Sequence, residues 1–133
     1  GSPWTKRVTS RVKHVIRLEG DQILPGEGLA PRAAAALLVI SMNPVPEAED
    51  EFNAWYNEEH LPALGSVPGV LMARRYRGQG ATQRYLAMYH FAAPDIREGA
   101  AWKKAANTPW TEKMRPHFRD YLRLECRPYR RAA

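Results

Sequence analysis

At 133 residues, with 44% hydrophobic residues, the chain is long enough for one domain with a core of its own. A single cysteine, Cys126, excludes an internal disulfide, and no CxxC or Cys/His cluster has metal-ligand spacing, so the sequence calls for no metal and no bound cofactor and suits a reducing, cytoplasmic compartment. The longest apolar stretch, 33–40, is too short to cross a bilayer, which argues against a membrane partner. The net charge of +6 sits on the flanks, +3 over 1–32 and +4 over 108–133, against −1 over 33–107. With no nucleic-acid-binding motif beside it, this excess reads as solvated strand faces and not as a nucleic-acid surface.

The opening residues lack an initiator methionine, and Gly1-Ser2 reads as a processed, truncated or tagged start. Residues 3–19 repeat 109–125 at an offset of 106. Pro3-Trp4-Thr5 matches Pro109-Trp110-Thr111, Arg17-Leu18-Glu19 matches Arg123-Leu124-Glu125, and pairs such as Val12/Phe118 and Ile16/Leu122 keep their character between. Self-similarity at a fixed period is a repeat signature. Residues 1–19 are therefore expected to be a tail strand ending an earlier repeat, 20–32 (GDQILPGEGLAPR) a Gly/Pro-rich linker, and 33–131 a complete later repeat.

Within that repeat, the apolar run 33–42, closed by Asn43-Pro44, predicts a buried central strand. Pro46 followed by Glu47, Glu49, Asp50 and Glu51 predicts a helix start, with acidic residues complementing the dipole. Phe52, Trp55, Tyr56, Glu59, His60 and Leu64 follow helical spacing, and Pro62 is expected to end or bend the helix at Leu61. Ser66-Val67-Pro68-Gly69 makes the turn.

Runs 70–77 and 84–91, separated by a loop with two glycines, predict a hairpin. In it Met72, Arg74 and Tyr76 alternate with Ala73, Arg75 and Arg77, while Tyr85, Ala87 and Tyr89 alternate with Leu86, Met88 and His90. Pro94-Asp95 opens a second helix running to about Ala106, Thr108-Pro109 caps a short helical turn through Met114, and a last strand covers about 118–129. The order is βαββαβ. The expected fold is therefore α+β and ferredoxin-like, with both helices on one face of a four-stranded antiparallel sheet and an extra N-terminal strand segment. The other sheet face stays open, and a second copy of the chain, giving a homodimer, would cover it.

The segments Phe52-Asn53-Ala54-Trp55-Tyr56-Asn57-Glu58-Glu59-His60-Leu61-Pro62, Val67-Pro68-Gly69-Val70 and Ala73-Arg74-Arg75-Tyr76 resemble EthD-like proteins of the dimeric α/β-barrel superfamily. The likeness covers about the first half of the repeat most specifically. It implies two sheets closed into a barrel, and a small apolar or aromatic ligand held between sheet and helices. Relatives include cofactor-free monooxygenases, cyclases, dehydratases, isomerases and haem-degrading enzymes, and a shared fold does not choose among them.

The candidate catalytic pair is His60, as general acid or base, with Tyr56 orienting it or its substrate; the competing role for His60 is a capping or core residue. Candidate substrate-binding residues are Trp55, Arg74, Tyr76, His90 and Trp110, set against plainer roles as core aromatics and strand charge. Tyr89 is expected to point across the open sheet face and His90 towards the helices. Glu58 and Glu59 do not form a catalytic pair, since adjacent helix positions diverge. Three readings stay open: a small-molecule enzyme without bound metal (isomerase, cyclase, dehydratase or monooxygenase), a non-catalytic structural or ligand-binding module, and a haem-binding or haem-degrading protein.

Overall fold

The computed structural model describes residues 20–28, 30–31, 33–78 and 82–128. Five strands form one antiparallel sheet: β1 (Gly20–Leu24), β2 (Ala36–Pro44), β3 (Val70–Gly78), β4 (Tyr85–Phe91) and β5 (Phe118–Cys126), in the spatial order β1-β3-β4-β2-β5. The β2 and β3–β5 set is the α+β arrangement expected, with β2 and β4 central. The apolar sequence of β2, broken by Ser41 and Asn43, follows from that place, because it pairs with β4 on one side and β5 on the other and has buried residues on both its faces.

Residues 20–24, expected within a linker, form an edge strand against β3, from Gly20 opposite Gly78 to Leu24 opposite Arg75. The Gly/Pro content marks the bend that follows, not the strand. Gln22 ties that bend down: its Oε1 accepts from the Gly28 backbone N–H at 2.6 Å and its Nε2 donates to the Gly28 carbonyl at 2.9 Å. The tail 1–19 lies outside the described residues.

The helical layer starts at Pro46 with a 3₁₀ turn and continues as α1 (Glu49–Trp55), a π-helical turn (Tyr56–His60) and α2 (Leu61–Gly65). Pro62 does not end the helix. The wide turn before it lets the Leu61 N–H reach the Tyr56 carbonyl, so the helix gains a residue just where proline removes a donor. The second helical region is split, because Gly99 is extended (φ −75°, ψ 157°) and separates a 3₁₀ turn (Ile96–Glu98) from α3 (Ala100–Ala106). Then α4 (Pro109–Met114) begins as expected, with Thr108 accepting from the Thr111 N–H at 3.1 Å and Pro109 in the first turn.

The core lies between sheet and helices. Leu38, Met42, Tyr85, Ala87, Tyr89 and Phe91 from the sheet meet Phe52, Trp55, Tyr56, Leu61, Leu64, Trp102 and Met114 from the helices. The opposite sheet face carries Val39, Leu86, Met88, Leu122 and Leu124, with Leu124 37% exposed. No helix among the described residues is long and apolar enough to cross a membrane.

Candidate functional site

A cavity of about 480 Å³ opens between the sheet and the helices. Leu38, Ile40 and Met42 of β2 form its floor, Trp55, Tyr56, His60 and Leu64 one wall, Trp102 and Ala106 of α3 another, and Phe118 and Tyr121 of β5 border the rest. The π-helical turn decides which helical residues reach it. By adding a residue to one turn it brings His60 under Trp55, five residues earlier, on the wall that Tyr56 already shares with His60 at regular i, i+4 spacing.

His60 is buried at 8% exposure, stacked on Trp55 at 4.2 Å between ring centroids and edge-on to Tyr56 at 5.1 Å. Burial, with the nearby charge of Arg115 adding to it, drives the imidazole down to about 3. The ring is therefore neutral at physiological pH, and its buried Nδ1 has no hydrogen-bond partner among the described residues. Burial also pushes the Tyr56 phenol up to about 12, against the opposing pull of Arg75, so Tyr56 keeps its proton. Trp55 is 1% exposed and its indole N–H donates to Thr111 Oγ1 at 3.2 Å. Thr108 in turn donates to Glu59 Oε2 at 2.7 Å, which anchors the half-buried carboxylate away from the cavity, while Glu58 is exposed.

Arg74, Tyr76 and His90 do not join this site. They form a second cluster on the opposite face of the sheet. Arg74 is 9% exposed, its Nε and Nη2 lie 3.2 and 2.9 Å from His90 Nε2, and its Nη1 donates to the Tyr76 hydroxyl at 2.7 Å. Gln22 Nε2 donates to the same hydroxyl at 3.1 Å. Burial and Arg74 together hold His90 below its ordinary range. The expected orientation of β4 is thus reversed: Tyr89 packs edge-on to Trp102 at 5.2 Å beneath the helices, and His90 faces outward. The register explains it, since Tyr89 pairs with Ala73 and Leu38 on the core face while His90 pairs with Met72 and Leu37. Trp110 packs on the edge of the core and lines neither cluster.

Sequence reasoning missed Trp102, Arg97, Arg115, Phe118 and Tyr121 on the cavity wall, and Arg75 behind it. Trp102 had a usable signal, a large aromatic on a short helix facing a central strand. The two arginines had none, because they lie in 3₁₀ turns whose direction no periodicity reveals. No group of three metal-ligating side chains gathers among the described residues.

No family model matches the chain, and no curated protein matches it. Among solved structures it is similar to the haem degrader MhuD from Mycobacterium tuberculosis, determined with two haems bound in its active site, with a TM-score of 0.54 and 16% identity over 74% of this chain and 99% of that one. At that identity the likeness supports an α+β fold consistent with the ferredoxin-like one and leaves the chemistry to the residues.

Proposed function

We propose that the chain binds a small apolar or aromatic molecule in the sheet–helix cavity and acts on it without a bound metal, His60 accepting a proton from it in an isomerase-, cyclase-, dehydratase- or monooxygenase-type reaction. The observation that carries this reading is a 480 Å³ aromatic cavity with a neutral imidazole in its wall. That volume falls in the range of ordinary ligand pockets, which run from about 300 to 1,000 Å³. In the free protein His60 is a weak base because its charged form is desolvated. A bound ligand that carries or develops negative charge beside the ring favours the imidazolium and raises its basicity at the moment of reaction.

The WYxxEHLP-type motif supports assignment to the EthD-like group, and the partly exposed Leu86, Met88, Leu122 and Leu124 of the outer sheet face support a homodimer built through that face. We also read residues 3–19 as the end of an earlier repeat. The later copy gives the shared Pro-Trp-Thr a definite structural job, with Pro109 in the first turn of α4 and Thr111 holding the Trp55 indole.

The test of the cavity reading is titration with the uncharged fluorophore N-phenyl-1-naphthylamine, compared with an Ala106→Phe variant that fills the cavity from α3. Saturable binding lost in the variant supports the reading; equal binding by both proteins overturns it.

The likeness to a haem degrader favours a second reading, haem in the same cavity. His60 is the histidine that lines it, and Arg97 and Arg115 suit carboxylates at its border. The fit is incomplete, because a ligating histidine normally donates its second ring nitrogen to an acceptor and His60 Nδ1 has none among the described residues. His90, with Nε2 engaged by Arg74 on the far face, does not fit a ligand role. A Soret shift on adding haemin, lost in His60→Ala, selects this reading; an unshifted spectrum removes it.

A further inference from the structure

The charged side chains on the cavity wall are Arg97 and Arg115, and no carboxylate lines it among the described residues. Both arginines are offset by acids at the rim, Arg97 by Glu125 at 2.6 Å and Arg115 by Glu112. A third cation stands behind the wall. Arg75 is fully buried, and its guanidinium lies 4.7 Å from the ring centroid of Tyr56, 4.9 Å from that of Tyr85 and 5.6 Å from that of Phe52. It donates to Asn57 Oδ1 at 2.7 Å and to Asn53 Oδ1 at 2.6 Å.

Each of these partners is neutral. Aromatic faces and amide oxygens solvate a guanidinium but do not cancel its charge, and arginine does not escape by losing its proton. In a low-dielectric interior the uncancelled charge reaches further than it would in water. Tyr56 is the wall between this charge and the cavity: the guanidinium lies over its ring, and the ring borders the cavity.

We propose that Arg75 makes the cavity selective for anions. The ligand is a flat aromatic molecule bearing a carboxylate, sulfonate or enolate, and Arg75 sets that preference through Tyr56 without touching the ligand. This deepens, and rests on, the small-molecule reading of the same cavity. The rim arginines attract anions from solution and are screened by salt, whereas the buried Arg75 acts with little screening.

Two fluorophores sharing one aromatic scaffold separate the effects: anionic 8-anilinonaphthalene-1-sulfonate and uncharged N-phenyl-1-naphthylamine. The readout is the ratio of their affinities. Arg75→Met is expected to lower the anion's affinity about tenfold, the magnitude of a modest through-protein charge interaction, with the neutral probe unchanged. Arg75→Lys, which keeps the charge, retains the ratio. The unaltered protein also retains it in about 1 M salt, where the Debye length is about 3 Å and the partly exposed wall arginines are screened, a readout independent of whether Arg75→Met folds. A ratio unchanged in Arg75→Met, or lost in high salt, overturns the proposal while the cavity reading stands. Failure of both probes to bind, or binding unaffected by Ala106→Phe, overturns the cavity reading and the proposal with it.

Discussion

His60 combines burial with a titratable ring, and its cost appears at acid pH. The unfolded chain binds this proton below about pH 6.5, whereas the folded chain binds it only near about pH 3. Between those values the unfolded state holds more protons, so stability is complete above about 6.5 and falls as pH drops towards 3, by up to about 1.4 kcal/mol per pH unit. His60→Phe is expected to flatten that acid limb, read as urea midpoints at pH 7, 5 and 4; an unchanged slope contradicts the assignment. Thr111→Val leaves the Trp55 indole N–H without its acceptor and is expected to cost about 1–3 kcal/mol by chemical denaturation. The aromatic pair Trp55/Tyr56 and His60 were legible from helical spacing, because their types fit a buried helix face. The side of β4 was not, since Tyr89 and His90 differ by one position and only strand register decides which is covered. Arg75 was hidden for a related reason, as it carries a full charge yet sits on the core face, paired with Ala87.

At the scale of elements, the turn at Gly69 shows how tightly helix and hairpin are joined. Its φ of +93° lies in the region that favours glycine, and an added Cβ would come within 2.3 Å of Ile96 Cδ1. Gly69→Ala is therefore expected to destabilise by more than about 1 kcal/mol, seen as a lowered Tm, and an unchanged Tm contradicts this geometry. The strands and the first helix were legible to within a few residues because apolar runs, acidic first turns and Pro/Gly punctuation agree there. The π-helical turn was not, because periodicity assumes a constant 3.6 residues per turn, and the wide turn before Pro62 breaks that assumption while keeping the helix going. Strand β1 was masked by its neighbours. Its residues pair with β3, but the glycines and proline of the adjoining bend dominate the local composition.

For the whole molecule, the sheet has one face under helices and one face of mixed character. Val39, Leu86, Met88, Leu122 and Leu124 share this face with the Arg74–His90–Tyr76 cluster, in which Arg74 and His90 are buried, and Val39, Tyr76, Leu86 and Met88 line a smaller hollow of about 260 Å³. A second copy placed there would remove the apolar part from water, and sedimentation at micromolar concentration is expected to give a dimer that Leu124→Arg dissociates. A monomer in the unaltered protein contradicts that assembly. The central claim, that the helix-side cavity is the ligand site, is tested most directly by methyl NMR on addition of 1-naphthoate, since aromatic ring currents report on the side chains they touch. Shifts are expected at Leu38, Ile40 and Leu64, which line the cavity, with Val39 and Leu86 on the outer face unmoved. Shifts concentrated at Val39 and Leu86, with Leu38 and Ile40 silent, would contradict it.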